Sequence, residues 1–154
     1  MKQLLLGLGF VAVFLFPAQP AGASNPVIQG EVSGVEVCAQ FLPCEAAVFT
    51  GNCDCIVDNK NAPGFFWVSV QHDPLPKAGF SSAMIRSGKW NLTTLWGSFS
   101  GTVIGGRIIN NNDNTFTVDA NLRVEKGGNG DVKAFGVLDH NEFPPTFEGY
   151  LLQP

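Results

Sequence analysis

The chain has 154 residues, of which 14% are charged, with 9 Lys and Arg against 13 Asp and Glu and a formal net charge of −4. That acidic balance, with no basic cluster anywhere, excludes nucleic acid and anionic membrane surfaces as electrostatic partners. With 18 glycines and no helix-forming run beyond the N-terminal apolar stretch, the composition predicts an all-β, turn-rich domain.

Residues 1–23 read as an export signal. Lys2 supplies the positive start, Leu4 to Phe16 is apolar and uncharged, and Ala21-Gly22-Ala23 has the small–x–small form of a cleavage site. The rival reading is a retained membrane anchor. The run is shorter than the roughly 20 apolar residues that a spanning helix needs, and Pro17 and Pro20 interrupt it. Cleavage would remove one lysine and leave 8 basic and 13 acidic residues, 8 − 13 = −5. Residues 24–154 are then expected as a single exported domain, periplasmic or extracellular, with no membrane contact once the signal is gone.

Val27 to Val37 is the first strand candidate. All four cysteines follow within a short span: Cys38, Cys44, Cys53 and Cys55. An even count in an exported chain predicts two disulfides. A four-thiolate zinc site is the alternative, but the spacing lacks paired Cys-x2-Cys knuckles. Cys53 and Cys55 fall on one face of a strand, near the limit of disulfide reach. Each should therefore pair with Cys38 or Cys44; if the first part of the chain repeats the hairpin of the later part, Cys38 lies opposite about residue 52 or 53, which favours Cys38–Cys53 and Cys44–Cys55.

Residues 59–64 are expected as a turn and Phe65 to Gln71 as a strand, apolar on both faces near its start. His72-Asp73-Pro74 ends it, since Pro74 and Pro76 cannot continue a ladder. Ala83 to Arg86 and Trp90 to Leu95 read as two further strands. The next runs from Trp96 to Ile109. A bulge is expected there at Gly105-Gly106, with Phe99 and Val103 on one face and Ile104 and Ile108 on the other. Residues 110–114 form a turn. From Thr115 to Glu125 the alternation is complete: Phe116, Val118, Ala120, Leu122 and Val124 inward, the polar residues outward. A glycine-rich turn at 126–130, a strand near Val132–Leu138 and a closing strand from Thr146 to Leu152 complete the chain.

About eight strands of this kind must close or double over to remove their edges. The predicted fold is a small antiparallel β-barrel, with a two-sheet β-sandwich as the alternative. Gly127-Gly128-Asn129-Gly130 followed by Gly136 resembles a hairpin of exported barrels of the allene-oxide-cyclase or dirigent type. The likeness covers residues 127–136 and carries no site residue across.

Residues 27–76 and 94–144 also share features in the same order. Gly30 and Gly34 match Gly97 and Gly101, Phe49-Thr50 matches Phe116-Thr117, and His72 and Pro76 match His140 and Pro144. These anchors suggest a duplicated three-stranded unit.

Chemistry-bearing residues are few. The two histidines, His72 and His140, both end a strand and stand beside Asp73 and Asp139, with Glu142 close by. Imidazole and carboxylate could bind zinc or copper or move a proton. The alternative, which we favour, is that these side chains cap exposed backbone groups at strand-to-loop corners. Residues 97–101, Gly-Ser-Phe-Ser-Gly, are no nucleophile elbow, because Phe99 holds the centre. The 110–114 run lacks a regular calcium loop. No cofactor or metal is expected. Three function classes follow, in order: a binding module for a small apolar or aromatic ligand, a structural or surface-interaction protein using exposed loops or Trp90 and Trp96, and an enzyme last.

Overall fold

The computed structural model describes residues 27–38 and 46–154, Cys38 through its backbone alone. The expected signal segment, residues 1–23, and Cys44 lie outside the described residues. Eight strands follow one another: β1 (Ile28–Cys38), β2 (Ala46–Val57), β3 (Lys60–His72), β4 (Ser82–Thr94), β5 (Gly97–Asn110), β6 (Thr115–Lys126), β7 (Asp131–Asp139) and β8 (Thr146–Leu152). Each pairs with its sequence neighbours, and β8 returns to β1, closing an antiparallel up-and-down barrel. The barrel, and not the sandwich, is the fold.

Alternation builds the wall. On β6, Phe116, Val118, Ala120, Leu122 and Val124 are buried, while Asn121 and Arg123 are exposed. The same period of two turns Ile28 and Val32 of β1, Phe66 and Val70 of β3 and Phe147 and Leu151 of β8 into one core. That core leaves an apolar void of only about 40 Å³, bordered by Phe49, Phe66, Val118, Leu122 and Phe147 among others.

Four local expectations change. The turn before β3 is only Asp58-Asn59, both at positive φ (52° and 61°), the two-residue hairpin geometry that matches strand twist. Strand β3 therefore starts at Lys60 and contains Pro63. It can, because pairing with β4 begins only at Gly64↔Thr94, so Pro63 has a neighbour on the β2 side alone. Ser82 to Thr94 is one strand rather than two. Gln71 faces Ser87 but His72 faces Ile85, so β4 carries Arg86 as an extra residue, and this bulge flips the alternation of β4 that suggested a gap. On β5 the irregularity falls between Val103 and Gly105. It leaves Ile104 exposed and returns Ile108 to the core beside Phe99 and Val103, so Ile104 and Ile108 do not share a face. Trp90 is also not a surface residue: it is 2% exposed, and its indole N–H donates to Arg123 O at 2.9 Å.

The disulfide expectation is corrected as well. Cys53 and Cys55 are bonded to each other, with Cα atoms 5.2 Å apart, which excludes Cys38–Cys53 and Cys44–Cys55. A fully extended strand would separate residues i and i+2 by about 6.7 Å. The shorter spacing in β2 falls well inside the range a disulfide bridges. Because both side chains point into the core, the bond is buried.

Two measurements check this architecture. Leu122→Ala is expected to cost about 2–5 kcal/mol as a cavity-forming change, and Asn121→Ala about 0.5 kcal/mol or less as a surface change; chemical denaturation that ranks them the other way would reverse the faces of β6. Under non-reducing conditions, cleavage after Glu45 should release the Cys53 and Cys55 side of the chain from the Cys38 and Cys44 side. Fragments held together until reduced would contradict the Cys53–Cys55 bond.

Candidate functional site

The C-terminal ends of β1, β3, β5 and β7 share one end of the barrel, and the predicted polar site residues all lie there. Asp73 points outward and pairs with Arg86 through two hydrogen bonds, 2.9 and 2.7 Å. The Arg86 hydrogen bond and charge hold its carboxyl below the usual carboxylate range. His72 is 6% exposed, and its Nδ1 donates to the carbonyl of Asp73 at 2.6 Å. Asp139 accepts from the backbone N–H of Asn141 at 2.8 Å, and Glu142 is exposed. His140 reaches across to β1, where its Nε2 meets Glu36 Oε2 at 2.9 Å, and its ring lies 5.0 Å from that of Phe116. Among the described residues, no group of three or more His, Cys, Asp or Glu could hold a metal ion.

Sequence reasoning missed Glu36. It stands on the inward phase of β1 with Ile28 and Val32 and is 6% exposed. Its signal was masked by Val35 and Val37, which suggest the opposite phase although Val37 is 52% exposed. Glu36, His72 and Asn110 are the buried polar residues of the described barrel. Each is bound to a loop. The Glu36 backbone N–H donates to Pro145 O at 2.8 Å, and its carboxylate engages His140. Asn110 donates to Pro76 O and accepts from Asn112 N–H, both at 2.7 Å. No buried side-chain nitrogen or oxygen among the described residues lacks a partner. Among the described residues, this end of the barrel binds its own connections.

The larger concavity is on the outside. A groove of about 450 Å³ crosses β2, β1, β8 and β7. Two rungs of outward residues form it. One runs Asp54, Glu31, Tyr150, Phe135, and the other Asn52, Ser33, Glu148, Val137, each directly opposite the next. At about 4.8 Å per strand, each rung spans roughly 15 Å. The floor is backbone, because Gly136 and Gly149 face each other there. A Cβ on Gly149 would lie 2.8 Å from Gly136 Cα, and one on Gly136 would lie 2.7 Å from the Phe147 ring. Side chains at this rung would therefore drive β7 and β8 apart.

Charge in the groove is one-sided. Glu31, Asp54 and Glu148 line it, and no basic side chain does. The Lys and Arg ion pairs of the described residues use Asp73, Asp119 and Asp131 instead. The phenol of Tyr150 donates to Glu31 Oε1 at 3.2 Å. That hydrogen bond, together with the Glu31 charge, favours the protonated phenol and raises its pKa. None of these groove residues stood out in the sequence, because each is an ordinary outward position on its own strand.

Tyr150 is the sole tyrosine of the chain, so tyrosinate absorbance reports it alone. Its titration midpoint is expected above the usual value of about 10. Glu31→Gln should bring the midpoint back toward that value, and an unchanged midpoint would show that Glu31 does not hold the phenol.

Comparison of the chain with protein-family models, with curated proteins and with solved structures finds no match.

Proposed function

We propose that this protein is a binding module that works through the outer wall of the barrel and not through its interior. The observation that carries this reading is the contrast in free space, about 40 Å³ inside against about 450 Å³ in the groove. Small-molecule sites run to about 300–1,000 Å³. The interior void is apolar on every side, and as it stands it has no room for an aromatic ring or an acyl chain. The buried polar residues support the same reading, since their hydrogen bonds go to the barrel's own loops.

The wall reading favours a surface partner over an enclosed apolar ligand. Trp96 offers a second exposed surface, at 60% exposure. Its indole N–H donates to Asn61 O at 2.8 Å and Lys60 stands over its ring, so it already joins the β4–β5 turn to the β2–β3 hairpin. The groove residues make no such tie between loops.

Native mass spectrometry of protein purified without refolding is expected to show the bare mass of the chain. A stoichiometric apolar molecule, released only on unfolding, would locate the ligand inside and end the wall reading.

A further inference from the structure

The groove is polar at one end and apolar at the other. Asp54 and Glu31 occupy the β2–β1 side of the first rung, and Tyr150 and Phe135 the β8–β7 side. Glu148 adds a third carboxylate on the second rung, next to Val137. Three carboxylates line one concave surface without a cation. By contrast, Asp119, elsewhere on the wall, has Arg107 at 3.8 Å and Lys133 at 3.3 Å. Negative charge gathered in a concavity attracts a positive partner and penalises a negative one. Phe135 and Tyr150 are 51% and 57% exposed, which leaves their rings open to an apolar side chain or, face-on, to a cation.

Closure of the barrel further restricts the partner. Every strand has both neighbours, so no edge is free for a strand to be added. Recognition must run through side chains. The groove is also open along its length, so affinity has to come from several contacts along a chain. About five residues of extended polypeptide, at some 3.3 Å each, cover the roughly 15 Å of a rung.

We propose that the groove over β2, β1, β8 and β7 binds an extended basic peptide segment, with lysine or arginine side chains on Glu31, Asp54 and Glu148 and an apolar side chain against Phe135 and Tyr150. This assignment rests on the wall reading above and adds to it the chemistry of the partner.

The test uses residues 24–154 and a capped peptide of sequence Lys-Ser-Lys-Ser-Leu, whose lysines and leucine share one face when extended, labelled for fluorescence anisotropy. The peptide should bind saturably at low salt and weaken as salt rises. Glu31→Gln, Asp54→Asn and Glu148→Gln should each weaken binding about two- to fivefold, the range expected of single exposed ion pairs. Glu125→Gln and Glu142→Gln change the net charge equally outside the groove and should leave binding unchanged. Phe135→Ala should weaken the leucine-containing peptide and leave an all-lysine peptide unaffected. Absence of binding, or equal weakening by the two control variants, overturns the proposal. A glutamate-for-lysine peptide that binds through Phe135 would overturn the basic partner and leave the wall reading intact. An apolar molecule co-purifying inside the barrel would remove the wall reading itself.

Discussion

Pairing of β8 with β1 is the contact on which the rest of this structure depends. Seven rungs, from Gln29↔Leu152 to Val35↔Thr146, join the two ends of the described chain. Without them the sheet would expose two unpaired edges, each a row of backbone donors and acceptors open to other strands. With them, every strand has two neighbours and one face of every strand is turned inward. That enclosed face must be filled by the chain's own side chains, and an eight-stranded barrel is just wide enough for side chains to fill. Phe49, Phe66, Phe116 and Phe147 do so, helped by Trp90 and Leu122. The small interior void follows from this filling, and it directs attention to the outside of the wall.

Closure also explains where polar groups occur. The middle of the interior is apolar, and the buried polar residues Glu36, His72 and Asn110 gather where the strands run out into connections. A carboxylate taken out of water is tolerated when it is paired and hydrogen-bonded. Glu36 meets that condition by holding the β7–β8 connection twice, through its carboxylate on His140 and its backbone N–H on Pro145. The carboxylates of the groove face the opposite situation. They remain hydrated on the outer wall, so they need no partner within the chain and stay available to one from outside.

The groove itself depends on an inner-face property. Gly136 opposite Gly149 puts no side chain between the backbones of β7 and β8 and the core. Backbone thereby becomes the floor over which Glu31, Asp54, Phe135 and Tyr150 stand. Packing inside the barrel and shape outside it are linked at this rung.

Much of the fold was legible in the sequence. The run from Thr115 to Glu125 alternates without a fault, and its inward and outward sets are those observed, because a period of two can satisfy a half-buried strand in only one register. The count of eight strands and the need for closure followed from such runs and from edge avoidance. Local breaks in the pattern were harder to place. Ile104 and Ile108 looked alike until the irregularity after Val103 separated them, and β4 looked like two strands because it carries Arg86 as one residue more than β3 at that point, which flips its own alternation. The Cys53–Cys55 bond was missed because its reach depends on how far β2 departs from full extension, a coordinate that residue types do not carry.

The sequence by itself determined the class of the molecule: an acidic, all-β chain with enough apolar alternation to enclose a core. Only the tertiary structure decided which surfaces are concave and which charges share one. Glu31, Asp54 and Glu148 come from β1, β2 and β8, and at the sequence level each is a solitary acid among neutral neighbours. They become a set because β8 closes on β1, a pairing between chain segments more than a hundred residues apart. Such cross-strand neighbours are fixed by register, and register across the closure is set by how the whole ring packs rather than by any local run of residues.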